Sequence, residues 1–354
     1  MNRIAVVLFN LGGPDGPDAV EPFLFNLFKD PAIIGAPGLV RWMLAKLISK
    51  RRAPIAREIY AQIGGKSPIL ELTNEQALAL KQVLGERFDD AEVQTFVSMR
   101  YWHPFSDAVA RDVKAFAPDR IVLLPLYPQF STTTTGSSFD DWDRVAERVG
   151  LSVETKRICC YPTEPGFIAA QAQLLRDALA EAQKGSQRVR VLFSAHGLPK
   201  KIVEGKHDPY PDHVALGAQA IVDALTLQGI TIDDWNVSYQ SRVGPLEWIG
   251  PNTEDEIKRA ADDDRALVVV PIAFVSEHSE TLVELDIEYK ELATEVGIKT
   301  YVRVPTVATH GDFIGGLAGL VAAALERDGD PCPQGGGPRV CNAFAQACPA
   351  RMIG

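Results

Sequence analysis

The sequence predicts an α/β fold of two similar, doubly wound (Rossmann-like) lobes, each built on a parallel sheet. Short apolar runs rich in Val, Ile and Leu alternate with helical patterns along most of the chain. Several runs are apolar throughout, which is typical of parallel strands buried on both faces. The length of 354 residues exceeds the usual size of one domain, so two packed lobes are expected.

Helical patterns between the apolar runs supply the crossovers that parallel strands require. The clearest of these patterns cover Asn74–Phe88, Gly166–Gln183 and Val214–Leu227. The predicted strands are Ile4–Phe9, Val93–Val97, Ile121–Leu126, Val153–Cys159, Val189–Phe193, Trp235–Ser238, Leu267–Phe274 and Thr300–Val304.

A weak internal repeat supports the division into two lobes. Any one match between two segments could arise by chance. Three pairs of segments match in the same order, however, which suggests two related lobes. The pairs are VLFNLGGP (7–14) with VLFSAHGLP (191–199), VSMR (97–100) with VSYQ (237–240), and IVLLPL (121–126) with LVVVPI (267–272).

The predicted domain boundaries follow from this repeat. An N-terminal α/β lobe covers residues 1–152 and carries an apolar lip at about 33–48. A second α/β lobe covers 153–312, and a terminal helix with a cysteine-bearing tail covers 313–354.

The composition excludes some classes of protein. Hydrophobic residues make up 46% and charged residues 23%, as in ordinary globular proteins. The formal net charge of −10 argues against a broad nucleic-acid-binding surface. The sequence contains no apolar run long enough to span a bilayer, and its first residues enter a strand pattern without a secretory signal. We therefore expect a cytoplasmic protein.

The carboxyl ends of the strands are where ligands bind in open α/β sheets, so we expect the site in a cleft between the lobes. His196 directly follows the strand of FSAHGLP. Its imidazole can accept a proton or bind a metal near neutral pH. The alternative is a histidine that hydrogen-bonds its own turn.

A row of carboxylates follows the strand that ends at Phe274. Glu280, Glu284 and Glu288 repeat at i, i+4 spacing, and Glu277 lies just before them. This spacing places the three side chains on one face of a helix. Carboxylates can carry protons or bind divalent cations, although a solvated acidic face would have the same pattern.

Two further segments have more than one interpretation. STTTTGSS (131–138) is rich in hydroxyl groups but lacks the lysine of a P-loop, so it supports nucleotide binding only weakly. The apolar segment 33–48 is followed by the basic residues 50–52. It is either an amphipathic lip or buried core, and its basic end would suit substrate carboxylates or anionic lipid headgroups.

Together these motifs make the chain resemble the ferrochelatase family along nearly its whole length. The matching segments, in family order, are LFNLGGP, KRRAPIAREIYAQIGGKSPI, MRYWHPF, LYPQFSTTTTGSS, FSAHGLP, DPYPDHV, YQSRVGPLEWIGPNT and PIAFVSEHSETLVELDIEY. The resemblance implies a chelatase-like fold with porphyrin between the lobes. It also implies insertion of Fe²⁺ into protoporphyrin IX to give protohaem and two protons, the terminal step of haem biosynthesis.

The resemblance assigns roles to individual residues. His196 matches the family's essential histidine, which would abstract a proton, and Glu280 matches the acidic residue facing it across the porphyrin. The implied metal or proton route comprises His196, Glu277, His278, Glu280, Glu284 and Glu288. The implied porphyrin-binding residues are Ile34, Arg52, Tyr60, Ser67, Arg100, Tyr101 and Trp248.

A 2Fe–2S cluster is implied by members of the family that hold one with three C-terminal cysteines and one from the body of the protein. Cys332, Cys341 and Cys348 would provide three thiolates, and Cys159 or Cys160 the fourth. Thiols without a cluster, or a zinc site, are the alternatives.

Related functions remain open at this level. A coproporphyrin ferrochelatase and a non-catalytic porphyrin or haem carrier would share much of the sequence pattern. A nucleotide-dependent sugar or phosphate enzyme rests on fold analogy alone. The expected partners are protoporphyrin IX, ferrous iron, a peripheral contact with the inner membrane and neighbouring enzymes of the haem pathway, with no nucleic acid.

Overall fold

The computed structural model describes residues 2–185, 188–242 and 246–327. Its strands are β1 (Asn2–Asn10), β2 (Ala91–Met99), β3 (Arg120–Pro125), β4 (Glu154–Arg157), β5 (Val189–His196), β6 (Trp235–Gln240), β7 (Ala266–Pro271) and β8 (Tyr301–Arg303). Its α-helices are α1 (Val20–Lys29), α2 (Gly38–Ala61), α3 (Ile69–Arg87), α4 (Ser106–Phe116), α5 (Ser137–Val149), α6 (Pro165–Ala182), α7 (Lys200–Lys206), α8 (Tyr210–Leu227), α9 (Thr253–Asp262), α10 (Tyr289–Glu295) and α11 (Gly311–Glu326). Each predicted strand is therefore present.

The strands form two parallel sheets with the same topology. The first sheet has the order β2-β1-β3-β4 and the second β6-β5-β7-β8. All neighbouring strands in both sheets run parallel. The prediction of an α/β fold with two parallel sheets is confirmed, and the identical strand order agrees with the internal repeat.

Helices on both faces explain why the central strands are apolar throughout. In β1, Val6 packs into a core that includes Leu80 of α3. The next residue, Val7, points to the opposite face and packs into a core that includes Trp142 of α5. Successive side chains of a strand point to opposite faces, so a sheet covered on both sides needs apolar residues at every position.

The lobe boundary differs from the prediction at residue 152. Strand β4 pairs with β3 and completes the first sheet, so the first lobe continues beyond that residue. Helix α11 then returns to pack on α3, α6 and β3. Periodicity predicted these elements, but only the tertiary structure shows which sheet each of them joins.

The two lobes share one continuous core and several buried hydrogen bonds. Residues of both sheets and of α6, α8 and α11 belong to the same buried cluster. The amide of Gln76 donates to the carbonyl oxygens of Val275 (2.8 Å) and Ala308 (3.0 Å). Gln129 donates across the same junction to the carbonyl oxygen of Ile272, at 3.2 Å. These contacts fix the carboxyl ends of the two sheets relative to each other.

A π-helical segment follows the third strand of each lobe. The first covers Thr132–Gly136 and leads into α5. The second covers Glu280–Glu288, which was predicted as an α-helix, and leads into α10. The i→i+5 hydrogen bonds of a π-helix are rare and concentrate at functional sites.

Candidate active site

His196 is the last residue of β5, and the turn after it is held closely. Gly197 donates its backbone N–H to the carbonyl oxygen of Gln240, at 2.9 Å. A Cβ at Gly197 would lie only 2.8 Å from that oxygen and 3.4 Å from the Trp248 ring. Tyr210 donates its hydroxyl to the carbonyl oxygen of His196, at 3.1 Å. These contacts fix the position of the His196 imidazole at the edge of the sheet.

The imidazole of His196 contacts the carboxylate of Glu280 directly, 84 residues away in sequence, so the two do not face each other across a porphyrin as the resemblance implies. The Nδ1–Oε2 distance is 2.7 Å, and the two side chains are 39% and 25% exposed. Burial would lower the pKa of His196, but attraction to Glu280 outweighs it and raises that pKa above the ordinary value of 6.5. Burial opposes ionisation of Glu280, yet the imidazolium of His196 lowers its pKa to about 2. The pair is thus ionic at mildly acidic pH and remains open to solvent.

Glu284 lies beside this pair in a shell of hydrogen-bond donors. It accepts hydrogen bonds from the Ser241 backbone N–H (2.7 Å), the Gln240 amide (2.9 Å) and the Tyr289 hydroxyl (2.9 Å). The same Gln240 amide nitrogen also donates to the backbone oxygen of Glu280, at 3.1 Å. Gln240, at the end of β6, therefore connects two of the predicted acidic residues.

The remaining acidic residues lie in different environments. Glu277 binds the guanidinium of Arg303 at 2.6 Å, and although burial opposes ionisation, that cation lowers the pKa of Glu277. Glu288 ends the segment on the surface, and partial burial of its carboxyl group with repulsion from Glu284 raises its pKa. Of the predicted acidic face, Glu280 and Glu284 lie at the site and Glu288 lies in solvent, whereas Glu277 forms a separate ion pair.

His278, also predicted on the metal or proton route, is buried. Its ring packs against Phe274 with 4.6 Å between ring centroids. Its Nδ1 atom has no hydrogen-bond partner among the described residues. His278 is only two residues from Glu280 in sequence, but its side chain is buried beside Phe274.

Arg100 and Tyr101 form a network around a carboxylate that sequence analysis missed. Asp30 Oδ2 accepts hydrogen bonds from Arg100 and the Tyr101 hydroxyl, both at 2.8 Å, and from the Ser137 hydroxyl. Arg100 also donates to Ser137 at 2.7 Å. Tyr101 is fully buried, so its hydroxyl serves this network and exposes no surface. Asp30 carried no sequence signal, because it is a single acid in the loop after α1.

Two other predicted porphyrin-binding residues, Tyr60 and Ser67, are buried at different places. The buried hydroxyl of Tyr60 accepts a hydrogen bond at 3.4 Å from Ser279, the neighbour of Glu280, and burial raises the pKa of Tyr60 to about 12. Ser67 is buried against Gly13, where a Cβ would approach the serine to 2.5 Å. Tyr60 is thus near the His196–Glu280 pair, whereas Ser67 packs beneath the first loop.

Trp248 lies next to the turn that carries His196. It forms an isolated antiparallel bridge with Pro199, and Ile249 donates its backbone N–H to the carbonyl oxygen of Leu198, at 3.0 Å. The indole of Trp248 is partly buried. This geometry brings the predicted aromatic residue beside the histidine.

The predicted lip begins at a loop and continues into α2, which is longer than expected. Ile34 donates its backbone N–H to the backbone oxygen of Asp30, at 2.9 Å. Apolar side chains along the first turns of α2 are exposed, with Leu39 at 75% and Met43 at 56%. Arg52 is exposed farther along, with its guanidinium 5.9 Å from the centroid of Phe28. No described helix is both long and apolar enough to cross a membrane.

The predicted cluster ligands are only partly within the described chain. Cys159 and Cys160 are buried, and their sulfur atoms lie 3.6 Å apart. Within residues 2–185, 188–242 and 246–327, no three His, Cys, Asp or Glu side chains are arranged as metal ligands. The other predicted ligands, Cys332, Cys341 and Cys348, lie outside the described residues.

Comparison with known proteins places the chain in a family. The family model described as ferrochelatase matches residues 3–325. The ferrochelatases of Phenylobacterium zucineum (strain HLK1) and Caulobacter vibrioides (strain NA1000 / CB15N) are each 52% identical to this chain. The first aligns over 352 residues, 99% of both chains. The second aligns over 349 residues, 99% of this chain and 98% of the relative.

Further matches include another ferrochelatase and a solved structure. The ferrochelatase of Pelagibacter ubique (strain HTCC1062) is 50% identical over 317 residues, 90% of each chain. The solved structure of SirB from Bacillus subtilis with Fe3+ has a TM-score of 0.49 and 11% identity, covering 92% of this chain and 96% of that one. Because the family model spans most of the chain and these relatives are about half identical over nearly all of it, the chain belongs to the ferrochelatase family.

Proposed function

We propose that this chain inserts ferrous iron into protoporphyrin IX, giving protohaem and two protons as the terminal step of haem biosynthesis. The observation that carries the proposal is the contact between His196 and Glu280, 2.7 Å apart and open to solvent. A free-base porphyrin has two inner N–H protons that must leave as Fe²⁺ enters. A base with a pKa near neutrality is suited to that transfer.

The tautomer of His196 determines which ring nitrogen acts. In the neutral imidazole, Nδ1 carries a proton that it donates to Glu280, so Nε2 is left to accept one from a pyrrole N–H. The resulting imidazolium is stabilised by the Glu280 carboxylate. The Nδ1 proton then leaves through Glu280 and Glu284, and exchange with solvent returns the imidazole to its starting tautomer. Nε2 can then accept the second pyrrole proton. Fe²⁺ replaces both protons, so the charge of the complex is balanced.

Turnover with substituted enzymes tests these roles. Anaerobic addition of Fe²⁺ and protoporphyrin should give the haem absorption spectrum with the unaltered chain. His196→Gln and Glu280→Gln should abolish iron insertion and leave porphyrin binding measurable by fluorescence quenching. The matched controls are His207→Asn and Glu291→Gln. Both residues are exposed, His207 just after α7 and Glu291 on α10.

The same experiment separates the catalytic function from its rivals. A porphyrin carrier would bind protoporphyrin without forming haem in the unaltered chain. Full turnover by His196→Gln would remove the proposed base from the mechanism. Failure to bind any nucleotide would exclude the nucleotide-dependent alternative.

Protoporphyrin is proposed over coproporphyrin because of α2. Its exposed apolar side chains favour the porphyrin with fewer carboxylates. Initial rates on the two porphyrins at equal concentration decide the choice, and a faster reaction with coproporphyrin would reverse it.

We also propose that α2 makes a peripheral contact with an anionic membrane. Its first turns expose Leu39, Trp42 and Met43, and the basic residues 50–52 follow on the same helix. Apolar insertion with electrostatic attraction is how amphipathic helices bind lipid surfaces. The expected interaction with neighbouring enzymes of the haem pathway rests on the family resemblance alone.

Vesicle flotation tests the membrane contact. The chain should float with vesicles containing phosphatidylserine, and less so with phosphatidylcholine alone. Leu39→Ser with Met43→Ser should reduce flotation, whereas Leu227→Ser, an exposed leucine on α8, should not. Equal flotation of all three proteins would exclude α2 as the contact.

A 2Fe–2S cluster is the last part of the proposal. One of Cys159 and Cys160 would join Cys332, Cys341 and Cys348, since these clusters usually take four thiolates. The sulfur atoms of Cys159 and Cys160 are buried only 3.6 Å apart, so either could supply the fourth thiolate from nearly the same position. The absorption spectrum of purified protein, with iron and sulfide analysis, tests the cluster. Comparison of Cys159→Ser with Cys160→Ser identifies the ligand, and zinc without sulfide would indicate the alternative site.

A further inference from the structure

The π-helical segment Glu280–Glu288 has a second set of contacts, on the side of β8. Arg303 reaches residues on both sides of Glu280. It donates to Glu277 at 2.6 Å, and to Asp286 through Nε at 2.8 Å and through a second guanidinium nitrogen. Arg303 thereby connects the residue that leads into the segment with one near its end.

These charges are largely buried. The side chains of Arg303 and Glu277 are 11% and 19% exposed. A planar guanidinium can bind two carboxylates in a fixed geometry, which a flexible ammonium group cannot reproduce. The contact therefore restricts both the position and the rotation of the segment between its two anchors.

Tyr301 adds a backbone anchor to the same segment. Its hydroxyl donates to the carbonyl oxygen of Leu285, at 2.7 Å. Tyr301 and Arg303 are two residues apart on β8, so their side chains share one face of the strand. Strand β8 pairs with β7, and residues 272–279 connect β7 to this segment. The two side chains and the sheet thus hold the segment as one unit.

We propose that Arg303 and Tyr301 are positioning residues that hold Glu280 in contact with His196. This inference rests on the proposed function and extends it to residues that touch neither substrate nor His196. A π-helix is rare and mostly limited to a single turn, so we expect this nine-residue segment to depend on external anchors. Without them the segment relaxes toward α-helical hydrogen bonding, and the Glu280 carboxylate moves away from the imidazole.

Charge-conserving variants test this role. Arg303→Lys keeps the cation but loses the bidentate geometry, and Tyr301→Phe removes only the hydroxyl. The carboxylates that act on His196 are Glu280, in contact, and Glu284, farther away. Neither variant changes a charge, so a shift in the pKa of His196 reports movement of the segment.

The readout is the imidazole titration of His196 by NMR, assigned by the signal that His196→Gln loses. Both variants should lower the pKa of His196. They should also reduce kcat by on the order of 10- to 100-fold, as small misplacements of catalytic groups do, with little change in KM for porphyrin. Lys299→Arg is the matched control, because Lys299 pairs with exposed Asp264 at 3.5 Å and leaves the segment untouched.

Each outcome is decisive. A lower melting temperature with an unchanged pKa of His196 would show a merely structural role and overturn the inference. If Arg303→Lys does not fold, Tyr301→Phe alone decides. If the unaltered chain forms no haem but the pKa of His196 still falls in the variants, the proposed function fails and the positioning role stands.

Discussion

The imidazole of His196 and the carboxylate of Glu280 set each other's charge. Although burial opposes both ionised forms, their attraction raises the pKa of His196 and lowers that of Glu280 to about 2. Only the neutral imidazole can accept a porphyrin proton. A shift in the pKa of His196 therefore moves the pH at which the base becomes available.

The pH profile of iron insertion should follow this shift. As the pH rises through the pKa of His196, the ring becomes neutral and kcat/KM increases. Because that pKa is raised, the midpoint of the acid limb should lie above the ordinary value of 6.5. Initial rates across the pH range measure it, and a midpoint at or below 6.5 would contradict the assignment.

Removal of the carboxylate should reverse the direction of the shift. In Glu280→Gln, burial acts on His196 without its anionic partner, so the pKa of the imidazole should fall below that of the unaltered chain. NMR titration of the ring measures this without need of turnover. Glu291→Gln should leave the pKa unchanged, and an equal fall in that control would indicate a general charge effect.

At the scale of elements, the packing of α6 against α11 supports the junction of the lobes. Glu164 caps α6 by accepting from the backbone N–H of Phe167, at 2.7 Å. Gly316 of α11 approaches that carboxylate so closely that a Cβ would lie 2.3 Å from it. A side chain at position 316 would therefore displace the carboxylate that caps α6.

Two glycine substitutions on α11 should have opposite effects. Gly316→Ala forces the Glu164 side chain or the helix to move, and should destabilise the protein by about 1–3 kcal/mol. Gly319→Ala meets no atom within 4 Å. Since alanine is the better helix former, it should be neutral or stabilise by up to about 1 kcal/mol. Equilibrium unfolding in urea measures both, and equal effects would refute the close approach.

At the scale of the molecule, a shared core and buried hydrogen bonds join the two sheets. Gln76 is fully buried, donates to two carbonyl oxygens of the second lobe and accepts from the Ser276 hydroxyl at 2.9 Å. Its amide lies near the segment that carries Glu280. The relation between the lobes thus depends on a few polar contacts within an apolar core.

Loss of this bridge should lower the stability of the whole molecule, as measured by equilibrium unfolding in urea. Gln76→Ala leaves buried carbonyl groups without their donor, which costs about 1–3 kcal/mol. Unfolding should remain a single transition, since one core extends through both lobes. The control is Gln219→Ala, which removes an exposed pair with Asp223 on α8. Two separate transitions in the unaltered chain would show that the lobes unfold independently.

Local sequence was sufficient for much of the architecture. Continuous apolar runs predicted each strand because parallel strands covered on both faces leave no polar position. The turn after His196 was identified by its motif, since a strand followed by glycine and proline has few conformations. The strand order repeats in both lobes, as the matched segments suggested.

What the sequence by itself determined was the set of strands, the family and the histidine at the sheet edge. Only the tertiary structure decided that Glu280 contacts His196 directly, that Asp30 holds Arg100, and that β4 belongs to the first sheet. The physical reason is distance along the chain. Periodicity records which face of an element is buried, whereas these contacts join side chains from elements whose relative positions depend on the packing of the whole molecule.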